Sequence, residues 1–195
     1  MTDLTFYFDV GSPYVYLAAE RLPALTSDDV TWQPISLGGL YKLTGRSSWG
    51  VAGDEPRRSG IEEVERRAAR YGLPRVAWPD GWPSHYLMAQ RAALYAQQHG
   101  AGQRFMLRAA RDAFQRGIDL ADADAVLDVA ATIGLDRDAV EAATQDPAIK
   151  QGLIDATDYA FAHGVIGVPT LAVNGTPFWG DDRIEAALEH AAVAA

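Results

Sequence analysis

Apolar residues crowd residues 4–10, where Phe6, Tyr7, Phe8 and Val10 stand with Thr5 ahead of Gly11, a pattern that predicts a strand. Ser12 and Pro13 follow, an N-cap residue with proline at the first helical position. Val15, Ala18, Ala19 and Leu22 then recur at helical spacing. Residues 30–35 form a second short β-type run. The chain therefore opens as β-α-β, and a crossover of this length favours parallel strands.

The middle changes character. Residues 38–59 are rich in Gly and Ser without a clear period and predict a long surface loop. Ile61, Val64 and Ala68 mark the next helical face, with Glu62–Arg66 and Glu63–Arg67 pairing on the other face and Gly72 with Pro74 stopping the helix. Residues 75–83 are irregular. Helices are predicted over 84–100, with Ser84 as cap, and over 103–116, ended by Gly117. Asp122 or Asp124 opens another, a short one covers 137–144, and Asp146–Pro147 starts one that ends at His163–Gly164. Strands return at 170–173 and 176–179 around Asn174–Gly175, a type I′ hairpin signal. Asp181 or Asp182 then caps a terminal helix carrying Ile184, Leu188 and Ala191. No internal repeat or low-complexity tract interrupts this order.

The two outer pieces are each too small to bury a core alone, so they are expected to share one sheet. The fold class predicted is α/β: a thioredoxin-like domain of residues 1–37 and 164–195, with a large all-helical insertion over residues 38–163.

Composition narrows the chemistry. The 195 residues carry a formal net charge of −9, which repels phosphate backbones and anionic membranes, so neither nucleic acid nor membrane is an expected partner. There is no cysteine, which excludes disulfides, thiolate metal sites, cysteine nucleophiles and direct thiol–disulfide exchange; no metal site is expected. The opening residues lack the basic stretch and continuous apolar core of a signal peptide, and no uncharged run reaches spanning length, so a cytoplasmic location is expected. The four histidines stand in no triad motif and Ser12 is in no G-x-S-x-G elbow, which argues against a serine hydrolase.

Three segments sharpen the picture. Phe8-Asp9-Val10-Gly11-Ser12-Pro13-Tyr14-Val15-Tyr16-Leu17 places Ser12, Pro13, Tyr14 and Val15 where thioredoxin-like oxidoreductases carry C-P-x-C. Gly164-Val165-Ile166-Gly167-Val168-Pro169-Thr170 resembles the loop in which a cis-proline precedes the third strand of that fold and faces the helix N-terminus. Phe178-Trp179-Gly180-Asp181-Asp182-Arg183-Ile184 is the third. In this order and spacing they resemble the 2-hydroxychromene-2-carboxylate isomerases and the similar kappa-class glutathione transferases.

The resemblance implies glutathione as the cofactor and Ser12 as the catalytic residue, its hydroxyl donating to the glutathione thiolate. The helix N-terminus favours the same anion. It further implies that Val168, beside cis-Pro169, pairs through its main chain with the cysteinyl backbone, and that Gly180, Asp181 and Asp182 receive the γ-glutamyl end. Lys42, with Arg46 as a rival, is the candidate for binding an acidic substrate. Trp49, Trp78, Trp82 and Tyr86 are candidates for an aromatic pocket, with ordinary packing an equal reading. The Asn-Pro pair of the family's isomerases is absent at Ser47-Ser48-Trp49-Gly50. The reaction implied is cis/trans isomerisation of a small aromatic acid from an aromatic-degradation route. A glutathione transferase and a non-catalytic thioredoxin-fold binding module remain alternatives. Homodimers are usual in the resembling families, and no interface signature stands out here.

Overall fold

The computed structural model describes residues 2–194. Four strands form one mixed sheet in the order β2-β1-β3-β4: β1 (Leu4–Phe8), β2 (Val30–Pro34), β3 (Thr170–Val173) and β4 (Thr176–Trp179). β1 and β2 run parallel, joined across α1 (Pro13–Leu25), while β3 is antiparallel to both β1 and β4. The Asn174–Gly175 hairpin has both residues at positive φ, 48° and 82°, as a type I′ turn requires. The strands at the two ends of the chain thus complete one thioredoxin-like sheet, and α9 (Ile184–Ala194) packs on β3.

The helices between the strand pairs are α2 (Leu37–Thr44), α3 (Asp54–Arg70), α4 (Leu87–Gln98), α5 (Gly102–Arg116), α6 (Ala123–Thr132), α7 (Arg137–Gln145) and α8 (Pro147–Ala162). α1 buries Val15, Tyr16, Leu17, Ala18, Ala19 and Leu22 between the sheet and α5. Each of its buried leucines is worth about 1.5–3 kcal/mol. Phe6 meets Trp32 edge-on at 4.8 Å, tying β1 to β2 through the same core.

Several expectations are corrected. The segment 38–59 is no loop: Ser36 caps α2 by accepting from the Gly39 N–H at 3.1 Å, Gly45 ends it at φ +68°, and Trp49–Val51 forms a 3-10 turn before α3. Gly38 and Gly39 hid the helical period. Gly39 is useful there, because a β-carbon would stand 3.3 Å from Thr157 Cγ2 on α8. Ser84 caps nothing: its hydroxyl donates to Asp119 and α4 starts three residues later. Arg66 pairs with Glu63 rather than Glu62, whereas the predicted Glu63–Arg67 pair is present. The carboxylate of Asp181 does not cap the last helix, because Arg67 and Tyr71 take both of its oxygens. No helix is long and apolar enough to cross a membrane among the described residues.

Candidate functional site

A cleft of about 1670 Å³ opens between the ends of the strands and the helical segment. Ser12 lies on its floor, at the N-cap position of α1 with extended backbone, yet its side chain makes no capping hydrogen bond. Pro13 has no N–H, so the first donor the helix presents is the Tyr14 N–H, which has no acceptor within the chain among the described residues. A hydroxyl and a helix N-terminus therefore converge on one spot and favour an anion there.

The loop carrying Ser12 is held from beneath. Asp9 follows β1 and is buried, and its two carboxylate oxygens accept from the Gly11 N–H at 2.9 Å and the Leu37 N–H at 2.8 Å. Burial pushes the Asp9 carboxyl up to about 6, against the pull of those two N–H groups. Gln90 of α4 is buried beside it, accepting from the Val10 N–H and donating to the Phe8 and Ile35 carbonyls. The floor is thus pinned to β1, to β2 and to the start of α2.

Opposite Ser12, the Val168–Pro169 bond is cis. The Val168 N–H and carbonyl engage no partner within the chain among the described residues. The Pro169 carbonyl accepts from the Gly180 N–H at 2.9 Å. Gly180 sits at φ +123°, and a β-carbon on it would stand 2.6 Å from Asp182 Oδ1. Asp182 is exposed at the cleft edge, 3.4 Å from Arg67. Asp181 lies beneath, 1% exposed; burial raises its pKa, opposed by Arg67 and Tyr71. Both acids line the cleft, the Asp181 oxygens engaged by Arg67 and Tyr71 and the Asp182 carboxylate exposed. Trp179 covers Gly167, where a β-carbon would come within 2.4 Å of the indole nitrogen, and Arg46 stacks over the same ring at 4.6 Å.

The helical wall is aromatic. Trp49, Trp82, Tyr14 and Tyr86 line the cleft, with Trp49 at 4.9 Å from Trp82 and 6.3 Å from Tyr14. Trp78 stands behind them, 4.8 Å from Trp82. Gly60 admits the Trp49 ring, and Gly11 admits Tyr86, whose Cδ2 would be 2.1 Å from a β-carbon there. The Tyr86 hydroxyl accepts from the Ser84 N–H, and burial raises its pKa. Trp82 donates to the Gly11 carbonyl at 3.0 Å, so the aromatic wall and the Ser12 loop are one packed unit. Lys42 is exposed on α2 and faces the cleft. Among the described residues, no cluster of His, Cys, Asp or Glu is placed to hold a metal ion.

A family model described as the DSBA-like thioredoxin domain matches residues 3–192. The 2-hydroxychromene-2-carboxylate isomerase of Sphingobium xenophagum is 30% identical over 190 residues, covering 93% of this chain and 94% of that protein. This chain belongs to that isomerase family, within the DSBA-like thioredoxin domains. The namesake from Pseudomonas putida is 26% identical over 192 residues, covering 92% and 89%. A solved 2-hydroxychromene-2-carboxylate isomerase shares the fold with a TM-score of 0.85 at 24% identity, covering 98% of this chain and 94% of its own. The disulfide reductase DsbM of Pseudomonas aeruginosa, solved with GSH, shares it with a TM-score of 0.68 at 17% identity, covering 98% and 96%.

In this family member the cleft brings together Ser12, Val168, Pro169, Gly180, Asp182, Lys42, Trp49 and Tyr86. Asp181 lines it too, almost fully buried. Asp9, Gln90 and the reach of Arg67 to Asp181 escaped the sequence reading. A lone acid closing an otherwise apolar strand was the available signal for Asp9; Gln90 and Arg67 carry none, since a helical glutamine or arginine is ordinarily a solvated residue.

Proposed function

We propose that this enzyme uses glutathione to isomerise an acidic alkene of the 2-hydroxychromene-2-carboxylate type, an intermediate of aromatic degradation. The observation that carries this reading is the Ser12 hydroxyl, buried at the head of α1 without a capping bond and facing the Val168–Pro169 edge. Bound glutathione would supply the thiolate that adds to the activated alkene and leaves again, freeing rotation about the former double bond without net consumption.

The chain's part is to hold that anion and orient its partner. Ser12 donates a hydrogen bond to the sulfur, and the Tyr14 N–H and the dipole of α1 favour the same charge. Lowering the thiol pKa by one to two units asks roughly 1.4–2.7 kcal/mol of these groups together. Val168 offers an unpartnered N–H and carbonyl for strand-fashion pairing. Asp182 suits the γ-glutamyl ammonium, and the turn that begins at Gly180 leaves room for its carboxylate. Lys42 pairs with the substrate carboxylate, while Trp49 and Tyr86 wall in its ring. A cytoplasmic setting and a homodimer belong to the same reading.

Calorimetric titration with glutathione, with thiolate absorbance followed against pH, tests it. Saturable binding with the thiol titrating one to two units below its free value is expected, and product analysis should recover the glutathione unconsumed. No binding at millimolar glutathione overturns the reading, and glutathione consumed into a stable adduct makes the enzyme a transferase.

A further inference from the structure

The sequence contains only two lysines, Lys42 and Lys150, and both line this one cleft, from α2 and from the facing helix α8. Beside Lys150 stands Arg91 of α4, half-buried, whose Nε–H is buried and donates to nothing in the chain among the described residues. Its remaining contact, from NH1 to the Thr144 carbonyl, is long at 3.4 Å. Among the described residues Lys150 reaches Gln145 alone, at 3.3 Å, and no carboxylate pairs with either cation. Acids do stand near: exposed Asp158 shares the cleft wall, and Asp146 caps α8 through the Ala148 N–H.

This placement runs against two ordinary preferences. The protein carries 26 acids against 17 Lys and Arg, so a cationic lobe inverts its overall charge. Lys150 also sits near the N-terminal end of α8, where the helix dipole disfavours a cation. Around these cations the wall is apolar and open, with Leu43, Leu87 and Ile154 each more than two-fifths exposed. Apolar surface edged by cations on both sides fits a flat organic anion.

We infer that Lys150 and Arg91 form a second anion subsite in the cleft that Lys42 also lines, and that the co-substrate is an aromatic acid bearing two carboxylates. The inference rests on the function proposed above, in which Lys42 takes the first carboxylate. Lys150 and Arg91 then pair with the second, a further carboxylate at the far end of the ring, and the apolar residues cover the face between. These residues set specificity and stand apart from the sulfur, so they leave thiol activation to Ser12.

Quenching of the cleft tryptophans reads the affinity for 4-carboxybenzylidenepyruvate against unsubstituted benzylidenepyruvate, with no need of turnover. Wild type is expected to hold the dicarboxylate roughly tenfold more tightly. Lys150→Gln should collapse that ratio to about one, with glutathione affinity unchanged. Arg91→Lys, which keeps the charge and shortens the fork, should retain part of it. Lysine acetylation read by mass spectrometry gives an independent signal, with the dicarboxylate protecting both Lys42 and Lys150 and the monocarboxylate protecting Lys42 alone. Equal affinity for the two acids in wild type, or an unchanged ratio in Lys150→Gln, overturns the inference. Failure of glutathione to bind would instead strike the proposed function, because neither the quenching nor the acetylation depends on the thiol.

Discussion

The half of the cleft around Ser12 is made mainly of main chain, and the half around Trp49 and Tyr86 is made of side chains. In the first, the working parts are a helix N-terminus, the Val168 peptide groups and a glycine at φ +123°, all within a few residues of strand ends. In the second, the 3-10 turn before α3, the irregular stretch before α4, α4 itself and α8 each lend two or more side chains. Main-chain geometry follows from a short motif, and it tolerates little change. A side-chain wall gathered from separate helices can be rebuilt one residue at a time, so it is the half free to set which substrate is accepted.

Substitutions should separate the two halves. Ser12→Ala has the largest expected effect, a loss of roughly 10²–10³ in turnover. Its melting temperature should barely move, because the hydroxyl makes none of the capping bond whose loss ordinarily costs about 1 kcal/mol. A Tm drop typical of a lost cap, with turnover intact, would reassign Ser12 to structure.

Asp9→Asn ranks next and tests what supports that floor. An amide cannot accept from both the Gly11 and Leu37 N–H groups, and the conflict should cost about 1–3 kcal/mol in denaturant unfolding. The pH dependence has a definite sign. The folded carboxyl titrates at about 6 against an ordinary 3.8, so the folded state binds the extra proton between those values. Wild-type stability should therefore fall as pH rises from about 4 to about 6, by up to about 3 kcal/mol, and level off above. The Asn variant should lack that slope, and its deficit should narrow as pH rises. Equal slopes in the two proteins would show that Asp9 does not titrate there.

Tyr86→Phe has the smallest expected effect and probes the helical half. It removes one acceptor for the Ser84 N–H, about 1 kcal/mol, and leaves the ring on Gly11. With the ring doing the packing, KM should change less than about threefold. A tenfold rise in KM with kcat unchanged would place the hydroxyl on the substrate.

Legibility followed the same division. The strand-Gly-Ser-Pro opening, the V-P-T loop and the Asn-Gly hairpin are local signals, and each predicted element formed. The cap at Asp146 and the helix from Pro147 were equally plain. α2 was missed because Gly38 and Gly39 suppress its propensity, and what compensates is its Ser36 cap and the close approach of α8, a contact 118 positions along the chain at Thr157. Asp181 was misread for a related reason. An acid before a helix reads locally as a cap, but Arg67 and Tyr71, brought in by α3 and the turn after it, outcompete the helix N–H groups for both oxygens.

What the sequence determined by itself is therefore the order of elements, the absence of any protein thiol, a serine heading the first helix and a proline leading into the third strand. These depend on contacts within a few residues and on backbone preferences that hold in any fold. The tertiary structure alone decided that the Ser12 hydroxyl goes uncapped, that Asp9 is buried beneath it, and that both lysines meet in one cleft. Those facts depend on which distant side chains fill the remaining space, and packing of that range leaves no periodic trace along the chain.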